Sequence, residues 1–218
     1  MSIINISDIT TDKISLNLFS EKNVEASVLR LDKIHPEISG NKWFKLRYYL
    51  EEAEQLNKKT IVTFGGAWSN HIVATAAACS ENGFSSIGII RGEETSTLSP
   101  TLKKAKELGM QLNFISREDY SLKKIPGEIK TEEYYIINEG GYGIKGAEGA
   151  ATILDQCKKE SFTHICCATG TGTMMAGLIN AALPEQEVIG ISVLKNNFDL
   201  EENVRSLLIG HEKKIELI

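Results

Sequence analysis

Short β-branched runs, most of them closed by glycine and followed by a stretch of helical periodicity, recur along this chain. Residues 60–64 read TIVTF and stop at Gly65-Gly66, and residues 69–80 then form an alanine-rich helical stretch with Gly83 at the position that ends a helix. A strand over 86–90 precedes a helix over 100–108 closed by Gly109, and strands over 111–115 and 134–137 follow. Glu139-Gly140-Gly141 comes next, with a helix expected over 146–158. The apolar run 164–168 predicts a buried strand, a helix starts at Thr173, and 187–193 is the last clear strand. Ahead of all these lie a β-leaning run at 26–31 and a helix over 42–56. Leu46, Tyr49, Leu50, Ala53 and Leu56 share one face of that helix. Strands alternating with helices imply right-handed crossovers and mainly parallel sheets, so the expected class is α/β with three αβα layers. The polar stretch 117–130 reads as a surface connection.

Length and charge narrow the function classes. A chain of 218 residues accommodates one large domain or two small ones. A formal charge of −5 with no basic face argues against a nucleic-acid partner. The N-terminus lacks the pattern of a signal peptide, and no apolar run approaches a membrane span, so a cytoplasmic protein without a membrane partner is expected. Cys79, Cys157, Cys166 and Cys167 form no CxxC pair, which argues against a zinc site or a disulfide framework. The adjacent Cys166 and Cys167 read as buried core.

Three loops stand at strand ends or helix starts, where open α/β sheets bind ligands. The first is Ser39-Gly40-Asn41-Lys42-Trp43-Phe44-Lys45-Leu46. A lysine at a helix start meets the positive end of the helix dipole, which favours the neutral amine a nucleophile needs. Lys42 occupies that place, Lys45 is its rival in the same turn, and a solvated first-turn lysine is the plain alternative. The second is Gly65-Gly66-Ala67-Trp68-Ser69-Asn70-His71. Ser69 or Asn70 there is an N-cap, with amides free for a carboxylate or serving the helix alone. His71 is a surface, core or catalytic residue on position alone. The third is Ala168-Thr169-Gly170-Thr171-Gly172-Thr173. Strand, small-residue loop and helix suit a single phosphate, held by amides, hydroxyls and the helix N-terminus. A tight βα turn is the alternative. No Gly-Lys-Ser/Thr closes the loop as a Walker motif would.

These loops, in this order, resemble the 1-aminocyclopropane-1-carboxylate deaminase / D-cysteine desulfhydrase family of pyridoxal-phosphate (PLP) enzymes. The resemblance runs over residues 28–193 through LDKIHPEISGNKWFKL, TFGGAWSNHIVATAAAC, IGIIRGE, INEGGYGIKGAEG and ATGTGTMMAGL. It implies the two-domain tryptophan synthase β-like architecture, PLP fold type II. The large domain would take residues 1–45 plus 148–218, and the small one 46–147. It implies pyridoxal 5′-phosphate as cofactor, with Lys42 holding it as an imine and Asn70 bonding its 3-oxygen. Thr169, Gly170, Thr171, Gly172 and Thr173 would hold the 5′-phosphate, and Ser69 would act beside the substrate as a catalytic group. A small amino-acid substrate and a lyase or hydrolase of the deaminating kind follow, with a homodimer left open as the assembly. His71 after Asn70 tilts the resemblance toward the desulfhydrases, since the deaminases proper tend to carry glutamine there.

The family continues beyond residue 218 with a substrate-side tyrosine, the partner of the pyridine nitrogen and further strands. Residues 195–218 contain no recognisable version of these. The chain is therefore expected to be C-terminally incomplete, to leave the strand at 187–193 with an apolar face and an open edge, and to associate. A PLP-binding protein without turnover and a generic phosphate-ester binder are the competing readings.

Overall fold

Two parallel sheets and one antiparallel ribbon organise the chain, in a computed structural model that describes residues 4–127, 129, 133–210 and 215–218. The N-terminal ribbon pairs β1 (Thr11–Ile14) with β2 (Ala26–Leu29) across the short helix α1 (Asn17–Glu21). Then follow α2 (Lys42–Gln55), β3 (Thr60–Gly65), α3 (Asn70–Glu81), β4 (Ser85–Arg91), α4 (Pro100–Glu107), β5 (Gln111–Ile115), α5 (Arg117–Ser121) and β6 (Tyr134–Ile137). The chain continues through α6 (Ile144–Ala151), β7 (His164–Thr169), α7 (Thr173–Ala181), β8 (Glu187–Ser192), α8 (Leu200–Arg205) and β9 (Glu216–Leu217). The four-stranded sheet has the order β5-β4-β3-β6 and the three-stranded one β7-β8-β9; every pairing in both is parallel.

The first sheet is buried on both faces, which is why β3 reads as a continuous apolar run. Side chains alternate across it. Ile61 points to a cluster with Leu46, Tyr49 and Leu50 of α2 and Ala74, Ala77 and Ala78 of α3. Val62 and Phe64 point the other way, to Ile87, Ile89, Tyr120 and Ile129. The alanines of α3 let it lie close to α2 and the sheet on one side, while Ile72 and Ala76 meet Leu102 and Ala105 of α4. Burying a large aliphatic side chain contributes about 1.5–3 kcal/mol, so these strand faces anchor the loops at their ends. A fourth cluster joins Phe44 of α2 to Ala147 and Ala150 of α6, Met175 and Ile179 of α7, and Val204 of α8.

Several expectations need correction. The helix expected over 146–158 starts at Ile144, and its α-helical part ends at Ala151, where a 3-10 turn takes over through Gln156. The connection at 117–130 contains α5, and it buries Tyr120 and Ile129 against the sheet because Phe64 and Ile87 lie open to them; residues 128 and 130 of it lie outside the described residues. The strand at 164–168 is only half buried. Cys167 and Thr169 face the core, while His164, Cys166 and Ala168 are exposed, because β7 is an edge strand whose second face no described element covers. The strand at 187–193 does not have an open edge throughout. β8 is central, and β9 pairs with it at Ile189 and Gly190. Apolar side chains beyond it, Val193, Leu194 and Phe198, are exposed. Among the described residues no helix is long and apolar enough to cross a membrane.

Candidate active site

The loops that sequence singled out lie at the C-terminal ends of β3 and β7 and at the start of α2. Lys42 is the first residue of α2, and its Nζ donates to Asn41 Oδ1 at 2.8 Å. The Asn41 amide nitrogen lies 2.9 Å from Met174 Sδ, so Asn41 bridges Lys42 to the beginning of α7. Burial holds the Lys42 ammonium below the usual lysine range, which enriches the nucleophilic amine.

Asn70 is the first residue of α3, and Ser69 before it has extended backbone as the N-cap. The Ser69 hydroxyl makes no capping bond and packs toward Gly65, where a Cβ would come within 2.9 Å of its Oγ. In the first turn of α3, the Ile72 N–H donates to the Ser69 carbonyl at 3.1 Å, while the amides of Asn70 and His71 precede the first intrahelical bond. Ser99 Oγ donates to the Ala67 carbonyl and ties this loop to the cap of α4. Lys42 and Asn70 line one cavity of about 430 Å³, with Ser39, Val73, Thr101 and Lys104 among its walls. Ser69 is not among those walls.

The third loop leaves β7 at Thr169 and enters α7 at Thr173. Gly172 has φ +86°, a left-handed conformation that side chains resist, and a Cβ there would meet Val204 Cγ2 at 2.9 Å. The hydroxyls of Thr171 and Thr173 lie 3.0 Å apart. The Gly170 carbonyl accepts from Asn197 Nδ2 at 3.0 Å, which pins the loop from outside. Thr169 differs from its neighbours: its Oγ1 donates to the Cys167 carbonyl at 3.2 Å and is turned into the strand pair, so only its backbone is left for a ligand. The loop meets the rest of the site through Gly140 and Gly141, which pack against Thr171 and Lys45 respectively.

His71 is a buried core residue. Thr63 Oγ1 donates to the Ile137 carbonyl at 2.8 Å, so its lone pair accepts from His71 Nε2–H, also at 2.8 Å. Nδ1 then carries no proton and, among the described residues, has no hydrogen-bond partner. Burial first, and then Lys45 and Lys42, push the imidazole down to about 3. An unfolded imidazole takes up its proton near pH 6.5. Between those values the unfolded state binds more protons, so the contribution of His71 is fully present above 6.5 and is lost as pH falls toward 3. Urea midpoints should therefore fall more steeply from pH 6.5 to 4.5 in the wild type than in His71→Gln. Equal slopes would remove His71 as the cause. Thr63 was missed from sequence, although a polar residue inside the run TIVTF was the available signal.

The sequence profile of the pyridoxal-phosphate dependent enzyme family matches residues 8–200. The chain belongs to that family. A Thermotoga maritima protein provisionally assigned as 1-aminocyclopropane-1-carboxylate deaminase is 34% identical over 191 residues, covering 80% of this chain and 61% of its own. A Pyrococcus abyssi protein with the same provisional assignment is 29% identical over 214 residues, covering 91% of this chain and 63% of its own. The chain thus spans somewhat under two thirds of the length of these relatives. A crystal structure described as an ACC deaminase homologue superposes with a TM-score of 0.80 at 25% identity, over 100% of this chain and 72% of that one. The architecture is the tryptophan synthase β-like fold, PLP fold type II, that the sequence resemblance implies. The family's cofactor, PLP, suits the residues present: a desolvated lysine amine in a cavity, an amide beside it, and a loop of hydroxyls where Gly172 leaves no room for a side chain.

Proposed function

We propose that this chain carries the cofactor site of a PLP-dependent lyase or deaminase acting on a small amino acid, of the D-cysteine desulfhydrase or 1-aminocyclopropane-1-carboxylate deaminase kind. The observation that carries the reading is that Lys42 and Asn70, each the first residue of its helix, line the same cavity. Bound PLP supplies an electron sink for negative charge at the substrate carbon next to the amine. The neutral amine of Lys42 would hold the cofactor, and the same amine would be placed to move a proton at that carbon. Asn70 orients the ring through its 3-oxygen. The amides of Asn70 and His71 at the start of α3 receive the substrate carboxylate, and Ser69 beside them assists. Residues 170–173 hold the phosphate by amides and by the hydroxyls of Thr171 and Thr173. Elimination of sulfide from D-cysteine, or opening of a cyclopropane amino acid, followed by uptake of water at the imine carbon, ends in a 2-oxo acid and ammonia, and a lyase carries it out. The proposal includes a small domain over 46–147, with the remainder forming the large one.

Borohydride reduction with PLP, followed by peptide mapping, tests the site, and pyruvate release from D-cysteine tests the chemistry. An adduct mapped away from Lys42 would sink the reading. Ser69 lies outside the walls of the Lys42 cavity, which favours a second reading of cofactor binding without turnover. An adduct on Lys42 with no 2-oxo acid from either substrate would select it.

Thr171→Val removes one hydroxyl of the cradle and preserves its shape. A hydrogen bond to a charged group contributes about 1.5–3 kcal/mol, so PLP should be held roughly ten- to a hundredfold less tightly, as read by equilibrium dialysis. Unchanged retention would mean that the loop amides alone hold the phosphate.

A further inference from the structure

Five arginines stand in this chain, and three of them have polar partners. Arg30 pairs with Asp12 and Asp32, Arg205 pairs with Glu201, and Arg47 donates to Tyr48 Oη and Thr152 Oγ1. Arg91 and Arg117 differ: among the described residues, no hydrogen bond or ion pair reaches either guanidinium. Arg91 is the last residue of β4 and Arg117 the first of α5. Both line one cavity of about 500 Å³, with Tyr120, Ser121 and Lys123 as its other walls. None of these walls is a carboxylate, and none belongs to the cavity of Lys42 and Asn70.

The Tyr120 ring organises the cations. Arg91 lies 5.7 Å and Lys123 4.7 Å from its centroid, and Phe64 braces it edge-on at 6.0 Å. The nearby carboxylates are largely spoken for: Glu139 pairs with Lys123 at 3.0 Å, and Asp119 pairs with Lys124 at 2.6 Å. The two arginines therefore keep their charges uncompensated on one concave surface, and their mutual repulsion is relieved by an anion between them. Tyr120 adds a second feature. It is 4% exposed, and its hydroxyl has no hydrogen-bond partner among the described residues, although buried polar groups ordinarily have one. Burial first, and then Glu139, hold the phenol above the usual tyrosine range, so at neutral pH it adds no negative charge to this site.

We propose that Arg91, Arg117 and Lys123 form a second anion site, which takes a small oxyanion carrying two or more negative charges. Guanidinium forks match the paired oxygens of a carboxylate or a phosphoryl group, and two forks with an ammonium suit an anion with two such groups. The site stands beside the Gly65–His71 loop, since a Cβ at Gly66 would lie 3.6 Å from Arg91 Nη2. The probes are pyrophosphate and succinate, which carry the same kind of charge on phosphoryl and carboxylate groups. Arginine labelling of the wild type by phenylglyoxal is mapped by mass spectrometry, with and without PLP. At about ten times its dissociation constant a bound anion leaves roughly a tenth of the sites open. Labelling at Arg91 and Arg117 should then slow about tenfold with at least one probe, relative to chloride at equal ionic strength, while Arg205 labels as before. Labelling unchanged by both probes overturns the proposal. Protection given by PLP alone, and not extended by either probe, would make these arginines part of the cofactor cavity and overturn it as well. Calorimetric titration of the protective probe into PLP-treated protein provides a second readout. Arg117→Gln should bind it at least about tenfold more weakly, and Arg205→Gln as the wild type does. An equal loss in both variants would show attraction to net charge alone, and no loss in Arg117→Gln would place the anion elsewhere; either result overturns the proposal.

Discussion

Lys42→Ala should abolish the absorbance band of lysine-bound PLP and the borohydride-stable adduct, at any PLP concentration. The amine is the only atom set that the substitution removes from the chemistry; Asn70 and the remaining cavity walls stay in place. Lys45→Ala should keep the band at saturating PLP, because Lys45 packs along Gly141 and is not among the walls of the cavity that Lys42 and Asn70 share. The two variants thus separate the two amines of one helical turn, which a single binding constant would merge. Absorbance spectra, with reduction and peptide mapping of both variants, decide the matter. A band that survives in Lys42→Ala, or an adduct that moves to Lys45, would show that the first turn of α2 presents the other lysine.

The second large effect is on folding. At Gly149 a Cβ would collide with the carbonyl oxygen of Phe44 and lie 3.0 Å from its carbon. The obstacle is the backbone of α2, which has no rotamer to escape into. Gly177 of α7 meets α6 in the same way, against the Ala147 carbonyl, Ala150 Cβ and Ala151 N. The helices α2, α6 and α7 therefore meet at backbone distance, and α2 bears both Lys42 and Lys45. Overpacking typically costs about 1–3 kcal/mol, and a backbone collision belongs at the upper end. Gly149→Ala should lower the melting temperature by roughly 6–12 °C, at about 2–4 °C per kcal/mol for a chain of this size. PLP affinity should fall with it, as α2 is pushed off its seat. Gly127→Ala, where nothing lies within 4 Å and φ is not left-handed, is the matched control and should melt as the wild type does. Equal melting of the two variants would mean that α6 can shift away from α2 freely.

Much of the fold was legible in the chain because its signals are local. The β-branched run at 60–64, the alanines of 69–80 and the proline opening α4 each act through the backbone of their own segment. The same holds for Gly83, which follows the cap of α3 with φ +74°. The ends of α6 were less legible, because its last turns tighten into a 3-10 geometry that side-chain periodicity barely distinguishes. The burial of Cys166 was misjudged for a different reason. An apolar run marks a strand, and which of its faces is covered depends on elements distant in sequence.

For the site, the sequence by itself determined the chemistry-bearing types and their places in local grammar. Lys42 starts a helix, Asn70 follows an N-cap, and a neutral hydroxyl-rich loop joins β7 to α7. Only the tertiary structure decided which of them meet. It placed Lys42 and Asn70 on one cavity, and it turned the Thr169 hydroxyl into the strand pair and away from its loop. It brought Gly140 and Gly141 between Thr171 and Lys45. Lys42 and Lys45 stand three residues apart on one helical turn, and nothing local distinguishes an amine beside the cavity from one more deeply buried against Gly141. That difference comes from burial, which is set by the elements packed around α2, and it is burial that lowers both amines.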